Sequence, residues 1–169
     1  MHSTLTIRRE TATDVSDIRT VVSAAFGRAS EADLVDALRR ADALTLAAVA
    51  IAGSRMVGHV AFSPVTIGGR HPALALAPVA VTPDCQRQGV GSSLIRWSLE
   101  QCRQLGHGVI IVLGEPAYYS RFGFAPASEF GIECPFSIPL AAFMALELSQ
   151  GAASGLRGMV GYRPEFDLV

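Results

Sequence analysis

The sequence predicts an α+β fold, a mixed and largely antiparallel sheet flanked by helices. Three observations carry this expectation. Two stretches with helical apolar spacing, around 13–25 and 30–40, precede most of the strand-like segments. Three strand-like runs between 44 and 81 are separated by tight turn signals, which is the pattern of an antiparallel meander. The segment 73–113 then reads strand, helix, strand. With 169 residues, 50% hydrophobic and 17% charged, the chain is sized for a single core, and this composition excludes a disordered chain.

Leu5-Thr6-Ile7-Arg8 alternates apolar and polar residues and reads as a short strand. Thr13 or Asp14 opens a helix whose Val15, Ile18, Val21, Val22 and Ala25 share one face. Ser30 is the expected N-cap of a second helix, with Glu31 and Asp33 in its first turn and Arg39 and Arg40 in its last, as the helix dipole prefers. Leu44 to Ile51, Met56 to Ile67 and Ala73 to Val81 are the three strands of the meander, with turns at 52–55 and 68–72. The third is apolar at nearly every position, so it belongs in the sheet centre, covered on both faces. Pro78 donates no ladder hydrogen bond, and a break or bulge is expected there. Gly89 to Leu105 is a helix with Val90, Leu94, Ile95, Leu99 and Cys102 inward, ended by Gly106. Val109 to Leu113 is a buried strand, and a short helix follows at Ala117 to Phe122. The tail reads as a strand near Ile132, a helix at Leu140 to Leu148, a glycine-rich loop and a last strand near Met159 to Tyr162.

Composition excludes several function classes. All 14 basic residues are arginine, 15 acids balance them, and there is no lysine or asparagine. Lysine Schiff-base chemistry, a phosphate loop ending in Gly-Lys-Ser/Thr and N-glycosylation are therefore ruled out. No basic excess exists for nucleic acid or an anionic membrane. Lysine and asparagine need A-rich codons, so their absence points to a GC-rich bacterial genome. The first residues hold no apolar signal-peptide region, and no apolar run approaches the ~18 residues of a membrane span. Cys85, Cys102 and Cys134 are isolated from one another, so neither a metal site nor a disulfide framework is expected, and the expected location is cytoplasmic.

The chemistry concentrates in Val79-Ala80-Val81-Thr82-Pro83-Asp84-Cys85-Gln86-Arg87-Gln88-Gly89-Val90-Gly91-Ser92. A buried strand ends, a polar loop turns, and two glycines open a long amphipathic helix. Free N–H groups at such a helix start, with the dipole behind them, suit a phosphate or pyrophosphate, and Arg87 could add a charged contact. A dinucleotide-binding Rossmann turn fits badly, because its third glycine would fall at Leu94 and Thr82 to Gln88 separate strand from glycines. An isolated Gly-x-Gly would ordinarily only ease a tight turn into a helix.

The wider run V-A-V-x-P-x-x-Q-R-Q-G-V-G-S resembles the acyl-CoA-binding motif of the GNAT superfamily of N-acetyltransferases, with Gln86, Gly89 and Gly91 at the positions of Gln/Arg-x-x-Gly-x-Gly/Ala. A second stretch, Ala117 to Phe124, resembles that superfamily's Tyr-x-x-x-Gly-Phe element, with Tyr119, Gly123 and Phe124 in place. The order of elements agrees as well. The resemblance covers a core of about 5–130 within a single domain of 1–169, leaving 131–169 more divergent. It implies a GNAT-like sheet splayed at a central V. It implies that backbone N–H groups of Arg87, Gln88, Gly89, Val90, Gly91 and Ser92 hold the pyrophosphate of acetyl-CoA, the co-substrate, and that the strand edge at Val79, Ala80 and Val81 bonds the pantetheine amides. It implies Tyr119 as general acid. The implied acceptor is a small-molecule amine or a peptide or protein N-terminus, and a homodimer is compatible with the resemblance.

Two departures from the family pattern stand out. Gly114-Glu115-Pro116 follows the Val109–Leu113 strand where many relatives carry asparagine, and no glutamate lies in 73–81. Glu31, Glu115 and Asp33 are the candidate bases, each also readable as a solvated helix or loop acid. His59 reads first as a surface or satisfied core histidine, Tyr118 as packing, and Cys85 lacks any nucleophile motif. Three functions stay open: acetyl transfer to an amine, transfer of a longer acyl chain, and a non-catalytic acyl-CoA-binding sensor.

Overall fold

The computed structural model describes residues 3–169. The chain forms two compact units: one comprises residues through Phe62 with Pro78–Glu100 and Glu165–Val169, the other Ser63–Ala77 with Gln101–Pro164.

In the first unit, β1 (Leu5–Arg9) pairs antiparallel with β2 (Leu46–Ala52), and β2 pairs antiparallel with β3 (Arg55–Ile67). The register shifts between Ala50 and Ile51, the mark of a bulge. Two helices cover this sheet, α1 (Val15–Phe26) and α2 (Ser30–Arg40). Their apolar faces, Ile18, Val21 and Val22 with Ala32 and Val35, pack with Val49, Met56 and Ala80. Leu34 and Leu38 of α2 form a second cluster with Ala43, against which Phe166 from the C-terminus packs.

Asp14 occupies the N-cap position of α1, as the spacing predicts, and a 3-10 turn at Ala12–Asp14 with Thr11 at its own N-cap precedes the helix. The Asp14 carboxylate accepts the Thr11 N–H at 2.7 Å and its hydroxyl at 3.1 Å. Asp14 also takes a bidentate contact from Arg8, at 2.7 and 3.0 Å. At α2 the N-cap position falls on Ala29, and Ser30 is already helical. Spacing alone locates these starts only to within a residue or two.

Helix α3 (Val90–Gln104) buries Val90, Leu94, Ile95, Leu99 and Cys102, the face its spacing predicts. It lies hard against the first unit's sheet. A β-carbon at Gly58 on β3 would sit 2.8 Å from Leu94 Cδ1 and 3.2 Å from the Ala80 carbonyl oxygen, so a larger residue would force its neighbours to shift.

In the second unit, β4 (His71–Val81) contributes Leu74 and Ala75 to a parallel ladder with Ile110 and Ile111 of β5 (Val109–Leu113). The strand runs through Pro78 without the expected break, although its registered pairs with β5 stop at Ala75. Helix α4 (Pro116–Tyr119) is followed by a 3-10 turn at Ser120–Phe122, then β6 (Ala125–Pro126) and β7 (Ile132–Glu133). The helix expected at Leu140–Leu148 is instead a strand, β8 (Phe143–Glu147), paired antiparallel along all of β5 from Val109↔Glu147 to Leu113↔Phe143. In Phe-Met-Ala-Leu-Glu only Phe143 favours a strand, and Met, Ala, Leu and Glu are good helix formers. The unpaired ladder groups along β5 need a partner, and this tertiary demand overrides the local preference. β6 pairs with β8, and β9 (Gly158–Gly161) joins β7 in parallel and β3 in antiparallel. The mixed, largely antiparallel α+β architecture follows.

Hydrogen bonds from Arg8, followed by the Thr11 amide and hydroxyl, hold the Asp14 carboxyl well below the usual carboxylate range despite its burial. Asp14→Ala removes this cap, and its ion pair is screened on the Arg8 side, so a loss of about 1–2 kcal/mol is expected at neutral pH. Because the folded-state pKa is depressed, the stabilisation is complete above the ordinary value of ~3.9 and fades as pH falls below it. Urea denaturation of wild type and variant at neutral and acidic pH should show the gap narrowing on acidification.

Candidate functional site

The loop after β4 is braced from within. The Thr82 N–H donates to the Val57 carbonyl at 2.9 Å, and a 3-10 turn follows at Pro83–Cys85. Arg55 grips Asp84 with two hydrogen bonds, at 2.6 and 2.9 Å. Gln86 Nε2 donates to the Val81 carbonyl and Gln88 Nε2 to the Asp84 carbonyl, each at 3.0 Å. Both glutamine side chains are thus committed to the loop.

The loop's main chain turns through two left-handed residues. Arg87 takes a left-handed φ of 60° and Gly89 one of 86°. Such a conformation strains a non-glycine residue by about 1–2 kcal/mol, so Arg87 is held there by its surroundings. Alternation of this kind turns successive N–H groups toward one side and forms an anion-binding nest. A β-carbon at Gly89 would meet nothing within 4 Å beyond its chain neighbours, so the backbone there is uncovered. The Ser93 N–H to the Gly89 carbonyl, at 3.0 Å, is an early helical bond of α3, and the amides of Val90 and Gly91 precede it. The arrangement suits an oxygen-rich anion, with the exposed Arg87 guanidinium alongside. Of the strand residues named above, Val79 and Val81 are half-buried and Ala80 is buried, and the Val81 carbonyl is already engaged by Gln86.

Tyr119 sits in the second unit, at the end of α4. Glu115 occupies the N-cap position, and its carbonyl accepts the N–H groups of Tyr118 and Tyr119, both at 3.1 Å. The Tyr119 ring lies edge-on to Tyr118 and Phe124, with centroids 5.1 and 5.7 Å away, and 6.3 Å from Phe122. Gly123 closes the segment at φ 96°, where a residue with a β-carbon would be strained. Burial pushes the Tyr119 phenol up to about 12, with Tyr118 adding to the shift. The phenol is therefore neutral and a hydrogen-bond donor at physiological pH.

The three carboxylates fare differently. Glu31 is buried and ion-paired with Arg28, whose hydrogen bonds hold it below the usual range, and Ser30 lies 3.4 Å away. Asp33 is engaged by Arg19 at 2.7 Å. Glu115 is exposed and has no ion-pair partner among the described residues. A further ionisable cluster escaped the sequence reading. His59 is fully buried, with Nε2 3.0 Å from Glu10 Oε2, while Arg39 donates to the same carboxylate at 3.0 and 3.2 Å and to Asp36 at 3.0 Å. Burial raises the Glu10 pKa, but hydrogen bonds from His59 and Arg39 outweigh it and the carboxyl stays below its ordinary range. His59 Nδ1 is buried without a partner, so this histidine is only half satisfied. No local signal joins Glu10 to His59; the pairing of β1, β2 and β3 does. Among the described residues no group of three or more His, Cys, Asp or Glu could hold a metal ion, and no helix is long and apolar enough to cross a membrane.

Residues 6–127 match the acetyltransferase (GNAT) domain profile. The chain belongs to the GNAT acetyltransferase family. It is 34% identical over 163 residues to the uncharacterized N-acetyltransferase YhbS of Escherichia coli K12, covering 95% of this chain and 98% of that protein. The solved structure of E. coli YhbS in complex with CoA superposes with a TM-score of 0.94 at 32% identity, over 99% of this chain and 94% of that one. A GNAT family acetyltransferase from Brucella melitensis, solved with acetyl-CoA, gives 0.83 at 37% identity over 98% and 100% of the two chains. These relatives make this GNAT chain an N-acetyltransferase by family.

A phenol shifted to about 12 should not ionise until well above the ~10 of a free tyrosine. The difference in phenolate absorbance between wild type and Tyr119→Phe should therefore stay flat through about pH 10. A step of one tyrosine below that pH would show the ring to be solvated.

Proposed function

We propose that this GNAT chain transfers an acetyl group from acetyl-CoA to a neutral amine by direct attack in a ternary complex, and that residues 1–169 act as one catalytic domain. The observation that carries the reading is the nest at Arg87 and Gly89, where left-handed backbone and open space meet at the start of α3. It is chemically matched to a pyrophosphate. The CoA-bound and acetyl-CoA-bound relatives support the same ligand here. In this reading the amides of Arg87 to Ser92 bind the pyrophosphate, and the edge at Val79 to Val81 pairs with pantetheine. Gln86 acts by bracing the loop through Val81 rather than by touching the cofactor.

The amine nitrogen attacks the thioester carbonyl, the C–S bond breaks, and a CoA thiolate leaves while the new amide sheds a proton. An α-amino group, near ~8, is partly neutral at physiological pH, whereas a lysine near ~10.4 needs more help from a base. Glu115 is the better base candidate, since Glu31 is held by Arg28. Tyr119 is the donor to the departing sulfur. With the phenol at about 12 and a thiol near ~8.5, complete proton transfer is uphill by about 5 kcal/mol. Tyr119 then works mainly as a hydrogen-bond donor to the developing thiolate, an interaction worth ~1.5–3 kcal/mol to a charged acceptor and partly present before reaction.

Acetyl-CoA at millimolar concentration should raise the melting temperature by mass action, while NADH should not. Gly89→Asp places a carboxylate in the nest and should abolish the shift. A wild-type melt unmoved by acetyl-CoA would end the acyl-CoA reading, enzyme and sensor alike.

Turnover separates enzyme from sensor. Acetyl-CoA with a panel of small amines, polyamines and peptide N-termini should release free thiol with at least one acceptor; binding without turnover across the panel would favour the sensor. With a productive acceptor, Tyr119→Phe should lower kcat by about 10-fold, beneath the usual ~100-fold onset of general acid catalysis, and leave acetyl-CoA affinity nearly unchanged. Tyr118→Phe should leave kcat within about twofold of wild type, and a larger loss there than at Tyr119 would move the donor role to Tyr118.

A further inference from the structure

We propose that Gly114 is a positioning residue whose missing side chain seats the Tyr119 ring against the end of β5. This inference rests on the donor role proposed for Tyr119 and extends it to the residue that fixes where the hydroxyl stands. A β-carbon built on Gly114 would lie 2.8 Å from Tyr119 Cδ2, 3.3 Å from Cζ and closer still to Cε2. These are atoms of a rigid ring. They cannot fold aside as the end of a flexible chain would.

The backbone of Gly114 does not need glycine. Its φ lies outside the left-handed range, so alanine would be unstrained there; what glycine supplies is space. Neither wall of the seat can retreat. The Gly114 N–H donates to the Ala142 carbonyl at 2.9 Å, and Leu113 just before it pairs with Phe143 of β8. On the other side the Glu115 carbonyl holds the Tyr118 and Tyr119 amides, and the rings of Tyr118, Phe122 and Phe124 surround Tyr119. A methyl group at 114 must therefore push the ring out of its aromatic cage.

The test is a cycle of Gly114→Ala, Tyr119→Phe and the double variant, assayed with a productive acceptor. Gly114→Ala should lower kcat about as much as Tyr119→Phe does, roughly 10-fold, with acetyl-CoA KM and the acetyl-CoA thermal shift close to wild type. In the double variant the two losses should not add, because a displaced ring without a hydroxyl has nothing further to lose. Additive losses, or a Gly114→Ala enzyme at wild-type rate, would overturn the positioning role. The seat has its own readout, independent of activity. The Tyr119 ring resonance in the NMR spectrum of tyrosine-labelled protein, assigned by its loss in Tyr119→Phe, should move in Gly114→Ala and titrate at lower pH as the ring gains solvent. An unmoved resonance overturns the seat, whereas a wild-type kcat for Tyr119→Phe removes only the donor role. If Gly114→Ala does not fold, Gly114→Ala with Tyr119→Ala should fold, since the small residue at 119 vacates the space; failure of that pair to fold also overturns the seat.

Discussion

The close approach of α3 to β3 is the constraint on which the first unit is built. At Gly58 the helix comes so close that a methyl group would displace Leu94 and Val90, and the Ala80 carbonyl of β4 stands beside them. A helix held this tightly has a fixed start. The loop that leads into it is fixed at the other end by the Thr82 amide on the Val57 carbonyl, and between the two by Arg55 on Asp84 and by the Gln86 and Gln88 side chains on main-chain carbonyls. The Arg55–Asp84 pair is exposed and contributes little stability alone. Its effect is geometric, since each tether removes freedom from a loop whose backbone amides must converge. The left-handed turn at Arg87 is the strain that this bracing sustains.

At α1 and α2 a chain of charges adds to the apolar packing. Arg19 bridges Asp33 and Asp36, Arg39 bridges Asp36 and Glu10, and Glu10 meets His59. The chain of contacts runs from α1 through α2 to a fully buried position on β3. The network runs from exposed pairs at Arg19 to the buried end at His59, whose Nδ1 has no partner and costs the desolvation it does not offset. The network gives α2 a single register on the sheet, which apolar contacts at Ala32, Val35 and Leu38 alone would specify less sharply.

The second unit solves a different problem. In the function proposed for this chain it must hold one phenol shielded from water and fixed in place. Tyr119 meets the first requirement through burial among Tyr118, Phe122 and Phe124, and the second through a seat with backbone on one side and rings on the others. The same burial makes the phenol a reluctant acid. Donation without full transfer fits a reaction whose leaving group is already a tolerable anion.

Elements whose signal is local could be read directly from the residues. The face of α3, the bounds of β5, the meander and the glycine-bearing loop were all legible, because periodicity and turn chemistry act within a few residues. The two motifs, at Gln86–Gly91 and Tyr119–Phe124, were legible for the same reason, and the family match agrees with what they implied. Tertiary structure decided what depends on partners distant in the chain. Phe143–Glu147 became a strand because β5 needed a neighbour, Glu31 lost its freedom to Arg28, and Glu10 met His59 only when three strands paired. The role of Gly114 was hidden for the most physical of reasons. A glycine that supplies space rather than backbone freedom leaves no mark in the sequence, and only the ring packed against it shows what the space is for.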